Sequence, residues 1–409
     1  MRVGRYVVWF VATLFFAFQF VLRLFPSLVM EQTMVAYGID AQQFGHYASL
    51  YYLGYSAMQI PAAYLLYRLL PSRVLSVAAF LCAVSAWICA YTELWQWLYF
   101  SRLLLGVGSA FAFLGVSEII TQLFDKDQYA KMVGITFTIG LFGAVYGGMP
   151  TANLLKVYDW QVVLSTLGLI QAVIAVLIAI LVQVPSHAEA SFSNFVGGLR
   201  YILSNPALMA LAAANLLMVG ALEGFADIWG VTYLMKAMEV TKPTAAAFTS
   251  LIFVGMIFGG PILAACSRLL NSELNVVMTC AFCLVMIFVM LLSQWWPLNA
   301  VMVQILMFVC GILCCYQVLV FSLGVRFMNR PELLGLTTAF LNCINMCGGV
   351  LYHNIIGQLL SWSHRVPNIS VADYSLSDFT FALWSIPVGA MLGAMILSLV
   401  SLYFLKEKF

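Results

Sequence analysis

The chain has 409 residues, of which 64% are hydrophobic and 8% charged, with a net charge of +2. A soluble globule carries about 25% charged residues, so this sequence cannot cover itself with a solvated surface, and lipid must be its solvent. The balanced charge supplies no basic run for nucleic acid.

The first apolar run is too long for a cleavable leader and lacks a small-residue cleavage pattern. Cysteines such as Cys82, Cys89, Cys310 and Cys343 all fall in apolar stretches. Cys280–Cys283 reads C-x-x-C, but no histidine or second pair flanks it. Packing is their expected role, and no metal or cofactor site is expected.

A spanning helix needs about 20 apolar residues. About twelve segments meet that length: 6–29, 44–69, 73–91, 95–124, 130–155, 160–183, 207–235, 244–270, 275–293, 298–325, 333–361 and 379–404. The expected fold class is an all-α membrane protein with twelve transmembrane helices. Lysine and arginine orient it. With the N-terminus inside, the inner ends collect Arg2, Arg5, Arg68, Arg73, Lys126, Lys131, Arg200, Arg268, Arg326, Arg330, Lys406 and Lys408. The outer ends collect only Lys156, Lys236, Lys242 and Arg365. Both termini are therefore expected in the cytoplasm.

The most polar connection is "VPSHAEASFSNFVGGLRYILSNP" at 184–206. It separates an N-terminal bundle, 1–184, from a C-terminal bundle, 207–409, through a cytoplasmic linker at 185–206. Within it, "FVGGLRYIL" reads as a short helix on the inner membrane surface or as plain linker. The halves look related: "IPAAYLLYR" places Arg68 after Pro61 as "GPILAACSR" places Arg268 after Pro261. Two six-helix halves are a transporter signature, with cargo near the bilayer midplane.

The first segment contains "FQFVLRLFPSLVM", which sets Arg23 among apolar residues with Gln19 one helical turn earlier on the same face. A guanidinium keeps its proton at neutral pH, and its planar fork grips a carboxylate through two hydrogen bonds. Arg23 is read as an anion-recognising group; the alternative is a structural pairing with a protein carboxylate or backbone carbonyls. Pro26 predicts a local bend just beyond it. In the second segment Tyr51 and Tyr55 share a face, either to hydrogen-bond cargo or to pack. The fourth holds Arg102 and Glu118, both intramembrane. A plain salt bridge is the alternative role for Glu118. "GLFGAVYGGMP", 140–150 in the fifth, permits close packing and bending.

In the seventh segment Glu223 and Asp227 are four apart, so an α-helix sets them on one face. Two carboxylates in low dielectric do not both ionise easily, which makes one a proton acceptor near neutral pH. The alternative places Asp227 in water at the outer mouth. Gln317, Asn342, Asn345 and His353, in the tenth and eleventh segments, are expected to line the cavity or to join helices. Such interhelical bonds are worth about 0.6–2 kcal/mol.

Residues 59–73, "QIPAAYLLYRLLPSR", resemble the "QIPAGLLLDRFGPRR" that follows the second helix in a bacterial, proton-coupled group of the major facilitator superfamily. Gln59, Ile60, Pro61, Ala62, Arg68, Pro71 and Arg73 match, and the acidic residue of that pattern is Tyr67 here. "SRLLLGVGSAFAFLGV" matches R-x-x-x-G-x-G through Arg102, Gly106 and Gly108, and "GFADIWGVTYL" at 224–234 resembles "GFAxLWGVPYL". Further on, Gln317, Phe321, Asn329, Pro331, Gly335, Phe340, Asn342, Gly348, Gly349 and Gly357 fall at the spacing of that group, while His353 and Asn354 replace its usual Gln-Pro.

The resemblance covers nearly the whole chain. It implies two pseudo-symmetric six-helix bundles, a first helix that lines the cavity, and gating or structural roles for Arg68, Arg73, Arg102 and Arg268. The latch around Arg68 is expected to be weakened by Tyr67, and Arg102 to be structural or coupling. Relatives often carry Lys near Glu118, so a cargo of different charge is expected. The resemblance also implies a monomer of the bacterial inner membrane driven by a proton gradient, with no cofactor.

No H-E-x-x-H, nucleophile elbow or phosphate loop is present, so an enzyme is not expected. The reading is a secondary transporter for a small polar or anionic solute, an amino acid or organic acid, moved with protons by alternating access. Glu223, Asp227 and Glu118 are its proton-coupling candidates; Arg23, Gln19, Tyr51, Tyr55, Gln317, Asn342 and Asn345 are its cargo-binding candidates. The alternatives are an exporter of a siderophore, metabolite or drug, and a non-transporting receptor or enzyme on a borrowed scaffold.

Overall fold

In hydrocarbon every backbone N–H and C=O has to be satisfied within the chain, which leaves helices or closed barrels. The computed structural model describes residues 4–185, 192–293, 295, 297–328, 330, 333–364 and 370–406, and among them the regular elements are helices throughout. Arg2, residues 186–191 of the central connection, Asn329, Pro331, Arg365 and Lys408 lie outside the described residues.

The long segments are α1 (Arg5–Leu28), α2 (Ala41–Arg68), α3 (Pro71–Tyr91), α4 (Trp95–Leu123), α5 (Asp127–Leu154) and α6 (Trp160–Leu181). After a short helix, Phe192–Leu203, come α7 (Pro206–Met238), α8 (Lys242–Leu269), α9 (Glu273–Leu292), α10 (Ala300–Met328), α11 (Leu334–His364) and α12 (Leu376–Leu402). All but α2 and α11 are long and apolar enough to cross a membrane by themselves. Those two, of 28 and 31 residues, carry more polar side chains and complete twelve long helical segments.

The chain forms two compact units. The first takes Met1–Gly38 and Tyr47–Ala190; the second takes Ile39–His46 and Ser191–Phe409. In each, the last long helix turns an apolar stripe outward: Leu169, Val173, Val176 and Ile180 on α6, and Val388, Leu392, Met395, Leu399 and Leu402 on α12 are all exposed. These residues recur every three or four positions, which is one face of a helix. Such a face is an aggregation liability in water and an ordinary boundary in lipid.

Inside each unit, glycines bring helix backbones into contact, as small residues do between membrane helices. In the first unit a Cβ on Gly106 of α4 would lie 1.9 Å from the Tyr51 carbonyl oxygen of α2, and one on Gly54 of α2 would lie 2.4 Å from the Leu103 carbonyl oxygen. The second unit repeats the device. A Cβ on Gly311 of α10 would lie 1.9 Å from the Ile252 carbonyl oxygen of α8, and one on Gly255 would lie 2.1 Å from the Phe308 carbonyl oxygen. The stretch "GLFGAVYGG" of α5 does the same against α1, with Gly143 opposite Ala17 and Gly140 opposite Phe16.

The start of α2 packs within the second unit. There the Gln42 N–H donates to Ser361 Oγ at 2.9 Å, and Gly45 and Gly357 face each other's helices with no room for a side chain.

Gly106→Ala should lower the detergent-solubilised melting temperature by the equivalent of about 1–3 kcal/mol, because the added methyl meets main chain rather than a movable side chain. Gly134→Ala, in α5 with nothing within 4 Å of the new methyl, should leave it unchanged or raise it slightly. Equal melting curves for the two variants would refute this account of the α2–α4 contact.

Candidate functional site

In the first unit, α1 carries Gln19 and Arg23 to a cluster of tyrosines on α2. Arg23 is 5% exposed. Its Nη2 donates to the Tyr52 hydroxyl at 2.8 Å, and its guanidinium carbon lies 5.1–5.5 Å from the ring centres of Phe20, Tyr51 and Tyr52. The Tyr51 hydroxyl donates to Gln19 Oε1 at 2.9 Å. Tyr51 and Tyr52 meet edge to face at 5.2 Å, and Tyr55, half-buried, stacks on Tyr51 at 5.9 Å. Ring faces and a hydroxyl thus hold a buried cation in one orientation, which cation–π attraction strengthens where water is excluded.

Behind this cluster stands Arg102 of α4, 2% exposed. Its Nη2 donates to the Arg23 carbonyl oxygen at 2.9 Å, and its guanidinium lies against the Tyr51 and Tyr47 rings at 5.0 and 5.8 Å. Gly106, one turn along α4, lets that helix touch α2 at Tyr51. The Arg-x-x-x-Gly spacing therefore sets both the charge and the contact that receives it. Pro26 lacks the N–H that would bond the carbonyl one turn back. Three residues later α1 ends at Val29, whose N–H bonds to Pro26 O at 3.3 Å, before the short helix Met30–Tyr37 begins.

The second unit collects carboxylates instead. Glu223 and Asp227 of α7 are 1% and 0% exposed. The segment that bears them corrects the expectation of α-helical spacing, because Gly220–Trp229 is a π-helix. Gly220 and Gly224 open space for the Tyr352 ring of α11, and the Tyr352 hydroxyl donates to the Leu217 carbonyl. π-Helical turns are concentrated at functional sites. At the far end of the segment, Trp229 Nε1 donates to His353 Nδ1 at 3.2 Å, and the Phe44 ring stands edge-on to Trp229 at 6.0 Å.

Asn345 Nδ2 of α11 donates to Gln317 Oε1 of α10 at 3.4 Å, while Asn342 is half-buried on α11. Asn215 of α7 joins this list. It is 1% exposed, and its amide nitrogen and oxygen are buried without a partner among the described residues. Tyr316 of α10 reaches the Asn215 main-chain carbonyl at 3.5 Å.

Glu118 is half-buried and accepts from Gln122, one turn later, at 2.6 Å. Arg68, Arg73 and Arg268 are exposed at helix ends, with Arg68 over the Tyr64 ring at 5.3 Å. An ion pair between Arg326 and Glu273 at 3.0 Å ties the ends of α10 and α9 in the second unit.

Sequence reasoning missed Tyr52, Tyr47 and Asn215. Tyr52 follows Tyr51 directly, about 100° around the helix, so spacing along α2 does not pair it with Tyr51 and Tyr55. Two side chains reaching from one helix to one guanidinium can only be seen once α1 is in place. Asn215 had a signal, a lone amide in "LAAANLLM", but no charge to draw attention to it.

Tyr52→Phe should destabilise the protein by about 1.5–3 kcal/mol, the usual worth of a hydrogen bond to a charged group. In an Arg23→Met background the same change should cost close to nothing, because interacting groups are not additive. Thermal unfolding of the four proteins in one detergent measures the coupling, and additive losses would break the link between the two residues.

The match to known proteins agrees with this architecture. The model of the Major Facilitator Superfamily matches residues 8–353. An uncharacterized transporter, YybO, from Bacillus subtilis (strain 168) is 25% identical over 154 residues, 38% of this chain and 35% of that relative. The chain thus spans about a third of the length of that curated relative. A bacterial homolog of the human lysosomal transporter Spinster, solved in an inward-facing, unoccupied conformation, superposes with a TM-score of 0.74 at 15% identity, over 98% of each chain. A mutant of the nucleoside transporter NupG superposes with a TM-score of 0.78 at 13% identity, over 96% of this chain and 99% of that one. A multi-pass helical bundle of two units, matched along most of its length by that family model, has one assignment: the chain belongs to the Major Facilitator Superfamily.

Proposed function

We propose that the protein is a proton-coupled secondary transporter that carries a small polar or anionic solute, an amino acid or an organic acid, across the bacterial inner membrane by alternating access. In this reading it acts as a monomer with both termini in the cytoplasm. The observation that carries the reading is the buried Arg23 guanidinium, oriented by three ring faces and the Tyr52 hydroxyl. A planar fork fixed in that way is suited to a carboxylate, which accepts two parallel hydrogen bonds from it. Gln19 and Tyr55 beside it supply neutral donors and acceptors for the remaining polar groups of such a cargo.

Charge is divided between the units, which supports proton coupling. Among the described residues the buried cations, Arg23 and Arg102, belong to the first unit, and the buried carboxylates, Glu223 and Asp227, to the second. Two carboxylates on one stretch of π-helix share a low-dielectric surrounding, so proton uptake by one relieves repulsion with the other. Neutralising that charge is the step that lets a cation-coupled carrier change conformation, and intramembrane acids serve such relays generally.

A thermal-shift screen of purified protein against amino acids, organic acids and siderophores identifies the cargo, since a ligand of the folded state raises its stability. Arg23→Lys should then weaken cargo binding, and Arg23→Ala should weaken it about a hundredfold, the loss expected for a charge-assisted pair. Parent-like affinity in folded Arg23→Ala would remove the anionic cargo class.

Glu223→Gln should abolish uphill accumulation in proteoliposomes while leaving counterflow exchange, because exchange need not release the proton. Normal uphill accumulation by this variant would take Glu223 out of the coupling step.

A further inference from the structure

We propose that His353 is a proton-operated clasp in the second unit: its neutral ring ties α11 to the end of the π segment of α7, and proton uptake by that ring releases the tie. The place of the clasp in coupling rests on the proton-coupled reading above; the clasp itself rests on the geometry of α7, α11 and the start of α2.

The direction of one hydrogen bond carries the inference. Trp229 Nε1 and His353 Nδ1 are 3.2 Å apart, and both side chains are fully buried. An indole nitrogen can only donate, so Nδ1 is the acceptor and the proton of the neutral imidazole sits on Nε2. An imidazolium carries a proton on each nitrogen. Two N–H groups would then face each other at hydrogen-bonding distance, and the bond is lost. A glutamine oxygen would accept the same bond at every pH, so a histidine here makes the tie conditional on the proton.

Packing on both sides gives the loss a consequence. Trp229 is the last residue of the π segment that carries Glu223 and Asp227. Its ring meets Phe44 edge-on at 6.0 Å. Next to Phe44, Gly45 lies against the His353 main chain, where a Cβ would come within 2.4 Å of the carbonyl oxygen. One hydrogen-bonded pair therefore seats both the end of the π segment and the start of α2 on α11. Close-packed contacts of this kind transmit the turning of a ring instead of absorbing it.

Charge around the pair tolerates the added proton. The charged and titratable groups on the elements packed against this part of α11 are Glu223, Asp227 and Lys236 of α7, Asp40 and His46 at the start of α2, and Asp378 of α12. α10 carries Arg326 at its end and no acid or histidine. Acids outnumber bases on the elements nearest the pair, so a proton gained there does not build up positive charge.

Histidine nitrogen NMR on the full chain tests the clasp. The chain has 4 histidines, and the His353 signals are those lost in His353→Gln. At about pH 8 they should report a bare, hydrogen-bonded Nδ1 and a protonated Nε2, and toward about pH 5 both nitrogens should carry protons. The Trp229 indole N–H resonance, identified by its loss in Trp229→Phe, should shift in the same step. That shift should persist in His46→Gln and vanish in His353→Gln. Should His353→Gln fail to fold, replacing His46, His187 and His364 one at a time assigns the ring by elimination. A His353 ring that stays neutral down to about pH 5 overturns the clasp, and so does one that charges while the Trp229 resonance holds still. Uphill accumulation by Glu223→Gln decides the coupling reading separately from this titration.

Discussion

A guanidinium inside a lipid-solvated bundle cannot lose its proton, and taking it out of water costs on the order of several kcal/mol. The first unit holds two such groups, and their accommodation governs the arrangement around them. Arg23 is held by ring faces and the Tyr52 hydroxyl, and Arg102 by a main-chain carbonyl and two further rings. Tyr51 serves both, with its face toward each guanidinium and its hydroxyl on Gln19. Aromatic quadrupoles replace part of the hydration shell here.

That arrangement needs backbones closer than ordinary side chains permit. Gly106 brings α4 onto α2 at Tyr51, and the glycines of α5 bring that helix onto α1 beside Gln19. The second unit uses the same solution between α8 and α10, with Gly255 and Gly311 facing opposite carbonyls. The internal repeat is thus carried by contacts as well as by the Pro61–Arg68 and Pro261–Arg268 spacing. Packing of this kind is rigid, because main chain meets main chain. It leaves bends and wide turns, such as those at Val29 and in α7, as the places where a helix departs from regularity.

The π segment of α7 joins packing to chemistry. Tyr352 fills the groove over Gly220 and Gly224 and bonds the Leu217 carbonyl, and the π segment beside it carries both Glu223 and Asp227. His353 accepts through Nδ1 from Trp229 at the end of the same segment. An acceptor at this position anchors the π-helix to α11.

By itself the sequence determined that the chain is a membrane protein of twelve long helical segments, because 20-residue apolar runs with few charges have no other stable home than lipid. It also exposed Arg23, Arg102, Glu223 and Asp227, because an ionisable residue in an apolar run stands out without knowledge of its neighbours. The glycine motif around Gly106 was legible through the resemblance of its stretch to R-x-x-x-G-x-G. Only the tertiary structure decided what surrounds those charges. That Tyr52 rather than Tyr55 grips Arg23 and that Asn215 is a buried amide beside α10 both depend on a side chain arriving from another helix. Periodicity along one helix carries no record of which neighbour will supply a hydroxyl or claim a carbonyl, and in lipid those partners are what fix the geometry of every buried polar group.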